Sequence, residues 1–348
     1  MTDSPLYQDE SPPRAVVFGC AGTGLSTKEA AFFRDVDPLG FILFARNCED
    51  PDQIRALVEA LRACVGRAEI PVLIDQEGGR VARLGPPHWR AAPAMAVFGD
   101  LARRVPGDAV EAARLNARLI AHELFALGIT MDCAPVLDVP VKGAHDIIGD
   151  RAFDDDPHVV GLLGRAVCEG LLEGGVLPVI KHIPGHGRAT ADSHTALPVV
   201  RTGRLTLEET DFVPFRMLND MPWAMTAHVL YPGLDADHPA TVSPSILTDI
   251  VRDEIGFEGV VISDDLSMAA LPGTLGARAA AALAAGCDVV LHCNGDMAEM
   301  RDIAAATGPL SAATQARLAH GEAMRDIAPE EIDVAWATAR LDALLRPV

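Results

Sequence analysis

The chain has 348 residues, of which 49% are hydrophobic and only 5% aromatic, and its formal net charge at pH 7 is −20. This length fits one large α/β barrel or two ordinary domains, and the apolar fraction is enough to fill a sizeable core. A nucleic-acid-binding protein needs a positive footprint, and an acidic chain lacks one. We therefore expect a small-molecule substrate and no nucleic-acid partner.

The cysteines and the N-terminal sequence indicate a compartment. The cysteines are seven in number and form no C-x-x-C pair, which argues against a disulfide framework or a zinc ribbon and favours a reducing cytosol. The start, MTDSPLYQDESPPR, lacks the basic residues and apolar stretch of a signal peptide. No run approaches the roughly 18 apolar residues of a membrane span. We expect a cytoplasmic protein with no membrane partner and a flexible segment at 1–13.

Short apolar runs recur along the chain, and each ends in polar or glycine-rich residues. In chain order they are RAVVFGCAG (14–22), LGFILFARN (39–47), PVLIDQEGG (71–79), GITMDCAP (128–135), VLPVIKHIPG (176–185), MPWAMTAHVLYPG (221–233), EGVVISDDL (258–266) and AGCDVVLHCNG (285–295). Continuous rather than alternating apolarity predicts strands buried on both faces, as in parallel sheets.

Helical patterns occupy segments between these runs, at 51–65, 107–127 and 157–173. The first opens with Asp50-Pro51, a capping residue followed by a first-turn proline. The second ends before Gly128 and places apolar side chains on one face, namely Val110, Ala113, Ala117, Ile120, Leu124 and Phe125. Strand–helix alternation of this kind predicts an α/β fold, a single-domain (β/α)8 TIM-type barrel over 1–348 with closing helices from about 305 to 348. A doubly wound sheet is the alternative.

The barrel prediction also locates the site. Active sites of this fold gather at the C-terminal ends of the strands. Polar residues cluster at those ends of the predicted strands: Asp75, Glu77, Lys181, His182, His228, Asp264 and Asp265.

The densest polar constellation is KHIPGHGRATADSH, from Lys181 to His194. A metal site with His182, His186 and His194 as ligands is one interpretation, and a solvated polar loop is another. No H-E-x-x-H or H-x-H pattern supports the metal, and glycine and proline favour a loop over a ligand-bearing helix. We favour a catalytic site because the segment directly follows a buried strand.

Within this stretch, Asp192 and His194 are two positions apart, so on an extended backbone they project to the same side. A carboxylate beside an imidazole fixes its tautomer and favours its protonated form. His194 would then be a usable general acid near neutral pH.

Two further motifs carry carboxylates. In VVISDDLSM (260–268), Asp264 and Asp265 end an apolar strand. One can point to the barrel mouth while the other caps the next helix, a role we assign to Asp265, and magnesium ligation is the alternative. In IDQEGGRVARLG (74–85), Asp75 precedes Arg80 and Arg83. A carboxylate with guanidinium groups suits a polyol, and a structural ion pair is the alternative.

These three motifs resemble glycoside hydrolase family 3, and most of all its bacterial β-N-acetylglucosaminidases of the NagZ type. Further matches follow in the family's order and extend the resemblance over roughly 40 to 295: GFILFARN (40–47), APVLDV (134–139), IGDRAF (148–153), MTAHVLYPGLD (225–235) and AGCDVVLHCN (285–294). The main departure is Ile183, where relatives often have phenylalanine, and this is a packing change. The resemblance implies a (β/α)8 barrel, in agreement with the strand pattern.

The resemblance also implies roles for particular residues. Asp264 would be the nucleophile of a retaining exo-β-N-acetylglucosaminidase, and His194 paired with Asp192 would be its acid/base. Many other family members take a glutamate acid/base from a second domain, for which this chain has no room. The sugar-binding positions would be Asp75, Arg83, Arg151, Lys181 and His182, and no cofactor or metal is implied. The implied substrates are N-acetylglucosaminyl muropeptide fragments from peptidoglycan recycling.

Three other interpretations remain open at this point. A metal-dependent barrel hydrolase could use the histidine loop, and a non-catalytic protein could bind cell-wall fragments. The glycines of GCAGTG (19–24) are only weakly typical of a nucleotide site and fit a tight turn. The loop 185–195 is rich in glycine and alanine, so we expect it to order over bound substrate.

Overall fold

The frame of the molecule is a closed barrel of parallel strands in chain order, seen in a computed structural model that describes residues 12–193, 195–325 and 327–346. The strands are β1 (Arg14–Gly19), β2 (Pro38–Leu43), β3 (Val72–Ile74), β4 (Met131–Asp132), β5 (Leu177–Ile183), β6 (Trp223–Thr226), β7 (Val260–Asp265) and β8 (Val289–His292). Each lies within one of the apolar runs, except that β2 begins one residue before its run, at Pro38. The barrel prediction is therefore confirmed, and the doubly wound sheet is not observed.

Helices surround the barrel. They are α1 (Thr27–Val36), α2 (Pro51–Val65), α3 (Met95–Ala102), α4 (Pro106–Phe125), α5 (Pro157–Glu173), α6 (Arg204–Glu209), α7 (Val213–Met217), α8 (Leu275–Ala285), α9 (Met297–Ala306), α10 (Ala312–Glu322) and α11 (Val334–Leu345). A π-helix, Ile246–Glu254, occupies the connection between β6 and β7. No helix among the described residues is both long enough and apolar enough to cross a membrane.

Local sequence explains where the predicted helices begin and end. The side chain of Asp50 accepts a hydrogen bond from the amide of Gln53 at the start of α2, and Gly66 ends that helix with a φ of 70°. Asp156 caps α5 in the same way. The predicted buried face of α4 is wrong at Phe125, which is 40% exposed, because the next position after buried Leu124 is rotated about 100° away from the core.

The strands separate two apolar layers because side chains alternate across a strand. In β1, Val17 belongs to the cluster inside the barrel, whereas Val16 and Phe18 belong to the larger cluster between barrel and helices. Both layers are buried, which is why the strands read as continuous apolar runs.

The C-terminal segment closes the N-terminal end of the barrel. Leu310 and Leu318 join the interior cluster, and the amide of Leu310 donates to the carbonyl of Pro13. The side chain of Arg14 donates to the carbonyl of Ala304 at 3.2 Å and also to that of Thr307. Residues 1–11, which form most of the predicted flexible segment, lie outside the described residues.

Asp288 organises an ionic network at this same end. Its carboxylate lies 2.7 Å from both Arg252 and Arg317, and it accepts hydrogen bonds from the Thr314 hydroxyl at 2.9 Å and the Val261 amide at 2.9 Å. Both oxygens are thereby satisfied, and the network links β7 and the start of β8 to α10 and the π-helix.

Candidate active site

A cavity of about 370 Å³ opens at the C-terminal end of the barrel. Side chains that lie in or after seven of the eight strands, β2 to β8, line it. Among them are six residues that the sequence marked for catalysis or sugar binding: Asp75, Arg83, Arg151, Lys181, His182 and Asp264. Motifs separated by nearly two hundred positions are thus brought to one place, as the barrel prediction requires.

Lys181 lines the cavity and contacts two carboxylates. Its Nζ is 2.9 Å from Asp75 Oδ1 and 2.6 Å from Glu77 Oε1, and its side chain is 2% exposed. Asp75 Oδ2 also accepts a hydrogen bond from Arg83 at 2.9 Å. The ion pair considered for Asp75 and Arg83 therefore exists and at the same time faces the cavity.

Glu77 is a member of this cluster to which the sequence analysis gave no role. Arg151 donates two parallel hydrogen bonds to Glu77, from Nε to Oε2 and from Nη2 to Oε1, and both are 2.8 Å long. Burial alone would raise the pKa of Glu77, but Lys181 and Arg151 lower it below the ordinary value. Burial would likewise lower the pKa of Lys181, and Asp75 with Glu77 raises it. The cluster is therefore ionised near neutral pH.

Asp138 orients two histidines and was also given no role. Its Oδ2 lies 2.7 Å from His182 Nδ1, and its Oδ1 accepts the backbone amides of His182 at 3.2 Å and His186 at 2.6 Å. Burial opposes ionisation, yet His182 and the other donors lower the pKa of Asp138 to about 2. An ionised Asp138 holds the proton of His182 on Nδ1, which leaves Nε2 available to a ligand.

The two adjacent aspartates of β7 have different partners, as expected, but Asp265 does not have the partner that was predicted. Asp264 lines the cavity, and its Oδ1 accepts the amide of Asp265 at 2.8 Å. Asp265 accepts the amide of Ser267 at 3.1 Å, its hydroxyl at 2.6 Å and the Cys293 amide at 3.2 Å. It stabilises the turn after β7, whereas the next helix, α8, is capped by Thr274. The helix-capping prediction for Asp265 is therefore wrong, since a turn intervenes.

Neighbouring groups keep Asp264 ionised. Burial would raise the pKa of Asp264, but His228, His182, the Asp265 amide and Lys181 together lower it below its ordinary value. His228 is itself fully buried, and burial lowers its pKa. Its Nε2 donates to the Asp265 carbonyl at 3.0 Å. In the neutral ring Nδ1 then accepts from the Thr241 hydroxyl, 2.7 Å away.

The loop after β5 is tied to the barrel along its first half. The Tyr231 hydroxyl donates to the carbonyl of Gly185 at 2.5 Å, and Arg188 pairs with Asp211 at 2.6 Å. Farther along, Ser193 is buried, lines the cavity and accepts the Ala270 amide at 3.2 Å. Asp192 is half-buried beside it. His194 lies outside the described residues, so its pairing with Asp192 and the ordering of the loop over substrate stay predictions.

The metal interpretation of this loop rested on His182, His186 and His194. Within the three described segments, no group of three histidine, cysteine or acidic side chains is placed to hold a metal ion. Burial lowers the pKa of His186 to about 4, so that this ring is neutral near pH 7.

The chain matches a known family and known structures. The model of the glycosyl hydrolase family 3 N-terminal domain matches residues 26–321. The chain is 41% identical over 287 residues, or 81% of each protein, to a β-hexosaminidase of Bordetella avium. Its structure resembles native NagZ from Neisseria gonorrhoeae with a TM-score of 0.86 at 34% identity, over 97% of this chain and 99% of that one. The complex of that NagZ with N-trifluoroacetyl-D-glucosamine gives a TM-score of 0.85 at 32% identity, over 96% and 98% of the two chains.

Proposed function

Because the chain belongs to glycosyl hydrolase family 3 and is a glycoside hydrolase of the β-hexosaminidase type, we propose that it removes terminal N-acetylglucosamine with retention of configuration, through a covalent bond to Asp264. The proposed substrates are peptidoglycan-derived muropeptide fragments in the cytoplasm.

One observation carries the choice of nucleophile. Four carboxylates line the cavity: Asp75, Glu77, Asp264 and Asp265. Basic side chains hold the first two, and the Ser267 hydroxyl and two backbone amides hold Asp265. Among the described residues, no side chain within hydrogen-bonding distance engages the carboxylate of Asp264. It is therefore the ionised carboxylate that is left to react with a substrate.

The reaction has two steps. A carboxylate oxygen of Asp264 attacks the anomeric carbon while the bond from that carbon to the leaving oxygen breaks, and His194 gives its proton to the leaving oxygen. Water then attacks the same carbon, transfers a proton to His194 and releases Asp264. Each step inverts the configuration, so the product keeps that of the substrate. Asp192 would hold the imidazole in position and stabilise its protonated form.

The floor of the cavity would bind the sugar ring. Asp75, Glu77 and His182 Nε2 offer acceptors to the sugar hydroxyls, and Lys181 and Arg151 offer donors. Because these charges already stabilise one another at 2.6–2.9 Å, the polar groups are preorganised before a sugar enters. Such contacts convert binding energy into orientation and ring distortion at the anomeric carbon.

The compartment and the amino sugar have separate support. All seven cysteines, which lie in the described part of the chain, are free thiols, as expected of a protein in a reducing environment. The structurally similar NagZ from Neisseria gonorrhoeae was solved with an N-acylated glucosamine derivative. We extend both observations to this chain as parts of the proposal.

Covalent trapping tests the nucleophile. A fluorinated N-acetylglucosaminide that slows deglycosylation should label the protein, and peptide mapping should place the sugar on Asp264. Asp264→Asn should give no label. Asp265→Asn is the matched control, because its carboxylate binds the β7 turn, and this variant should still be labelled on Asp264. A label on any other residue would refute the assignment.

Leaving-group dependence tests His194. Protonation matters most for a basic leaving oxygen, so His194→Ala should lose far more glycosylation rate on a disaccharide than on a nitrophenyl glycoside. The nitrophenyl substrate should then show a burst and a slow second phase that azide accelerates, because azide needs no general base. Equal losses on both substrates without azide rescue would remove His194 from the acid/base role.

A further inference from the structure

The positive side chains that line the cavity are not equivalent. They are Arg46, Arg80, Arg83, Arg151 and Lys181. Arg80 pairs with Asp150, Arg83 with Asp75, Arg151 with Glu77, and Lys181 with Asp75 and Glu77. Across the three described segments, no carboxylate lies within ion-pairing distance of Arg46, which makes it the uncompensated cation of the cavity.

Arg46 is exposed but held in a fixed place. Its Nε donates to the carbonyl of Cys20 at 3.0 Å, and its Nη2 donates to the carbonyl of Cys293. The guanidinium carbon also lies 5.0 Å from the centre of the Phe44 ring. A guanidinium has five N–H donors, so two are engaged and three remain for a ligand. Neutral carbonyls anchor the group without cancelling its charge.

Its position differs from that of the sugar-binding cluster. The proposed sugar-binding residues follow β3, β4 and β5, and Asp264 ends β7. Arg46 follows β2, and its carbonyl partners follow β1 and β8. Its guanidinium carbon and that of Arg83 each lie 5.0 Å from the centre of the Phe44 ring, so Arg46 borders the sugar-binding cluster on the side of β1, β2 and β8. Arg46 and Asp264 line the same cavity, so a leaving group that fills the part of the cavity not occupied by the sugar ring can contact Arg46.

The net charge of the chain indicates what kind of ligand the exposed Arg46 favours. In a chain of net charge −20, the field around the molecule repels anionic ligands. A fixed guanidinium without a counter-ion at the cavity mouth offsets that repulsion locally and presents the planar donor geometry that carboxylates bind.

We propose that Arg46 binds a carboxylate on the leaving aglycone and so makes the enzyme selective for acidic over neutral aglycones. This inference rests on the proposed function, since it assigns the aglycone of the same site. The carboxylate has two chemical sources in a muropeptide, the lactyl ether of the leaving sugar and the peptide attached to it.

The experiment compares three substrates that share the N-acetylglucosaminyl bond. One carries 1,6-anhydro-N-acetylmuramic acid with a free lactyl carboxylate, the second carries its neutral methylamide, and the third carries a peptide on the lactyl group. For wild-type protein we expect kcat/KM to be about two- to fivefold higher for the acid than for the methylamide, the size of a solvent-exposed ion pair. If kcat/KM is higher still for the peptide substrate than for the acid, the peptide is a second source of the carboxylate.

Variants separate recognition from structural support. Arg46→Gln should bring the acid-to-methylamide ratio to about one, chiefly through KM, and Arg46→Lys should retain part of the preference because it keeps the charge. Arg80→Gln is the matched control at the same rim. Its guanidinium is already bound by Asp150 and by the carbonyls of residues 146–148, so the ratio should persist. Raising the salt concentration should reduce the ratio only where Arg46 is present.

The outcomes distinguish the two claims. If wild-type protein hydrolyses the acid and the methylamide equally well, the inference is overturned and the proposed function stands. If Arg46→Gln slows both substrates in equal proportion, Arg46 serves only to hold the carbonyls of Cys20 and Cys293. If wild-type protein hydrolyses none of the N-acetylglucosaminides, it is the proposed function that fails.

Discussion

Both ends of the barrel contain carboxylates that are each neutralised by two cations, but the two networks differ in their exposure to ligands. At the N-terminal end, Asp288 is bound by two arginines, a hydroxyl and an amide, and α10 covers it. At the C-terminal end, Asp75 and Glu77 also bind two cations each, but their network lines an open cavity. The closed network can serve only the fold, whereas the open one can exchange partners with a ligand.

Replacing Asp192, at the open end of the barrel, should have the largest effect on activity. Asp192→Ala should lower kcat by about 10²–10⁴-fold, the usual contribution of general acid–base catalysis, with little change in the free energy of unfolding because the residue lies half-buried in a loop. Steady-state rates on a disaccharide and urea unfolding measure both quantities. Turnover within a few-fold of wild type would show that the Asp192–His194 assignment is wrong.

Asp288→Ala should instead lower the free energy of unfolding and leave the activity nearly unchanged. Removing one partner of a buried ionic network costs about 3–5 kcal/mol of unfolding free energy, here because Arg252 and Arg317 lose their shared acceptor. Activity per folded molecule should stay close to that of wild type, since the residue precedes β8 at the far end of the barrel. A large fall in kcat for the folded fraction would contradict this separation of the two ends.

Glu77→Gln tests whether the open network serves binding. The amide keeps the shape but leaves Arg151 with one charged partner fewer, and hydrogen bonds to charged groups contribute about 1.5–3 kcal/mol. We expect kcat/KM to fall by about 10–100-fold. This fall should be larger than any decrease in the folded fraction of the protein explains. Glu258→Gln, at an exposed site outside the cavity, serves as the control. If unfolding free energy falls strongly while kcat/KM holds, Glu77 is a structural residue.

The smallest effect concerns acid stability through Asp138. Its pKa is lowered to about 2 in the folded state, against about 3.9 in an unfolded chain. The folded state therefore binds fewer protons, and the extra stability is present above about pH 4 and is lost as the pH falls toward 2. It amounts to roughly 2–3 kcal/mol. Asp138→Asn should remove that part of the pH dependence, measured as the wild-type-minus-variant unfolding free energy between pH 5 and 3. An unchanged difference across this range would refute the estimate.

The sequence predicted the barrel because its strands are apolar on both sides, and it predicted most of the site because parallel strands end at one rim. Glu77 and Asp138 were assigned no role for a physical reason. The partner of Glu77, Arg151, is 74 positions away, and Asp138 lies beyond β4 on a loop whose path no local pattern reveals. The roles of adjacent Asp264 and Asp265 differ only through the turn after β7. That turn is set by tertiary contacts such as the Cys293 amide.

The closure of the barrel by Leu310 and Leu318 has a consequence for biosynthesis. β1 pairs with β8, and its flanking residues are bonded to the segment around 304–310. β1 therefore obtains its second neighbour only after β8 (Val289–His292) has left the ribosome. Until then, an apolar strand edge and the lower interior of the barrel stay exposed, which makes the nascent chain prone to aggregation. Closure of the barrel therefore waits until β8 and the residues around Leu318 have left the ribosome, and we expect chaperones to bind the nascent chain until then.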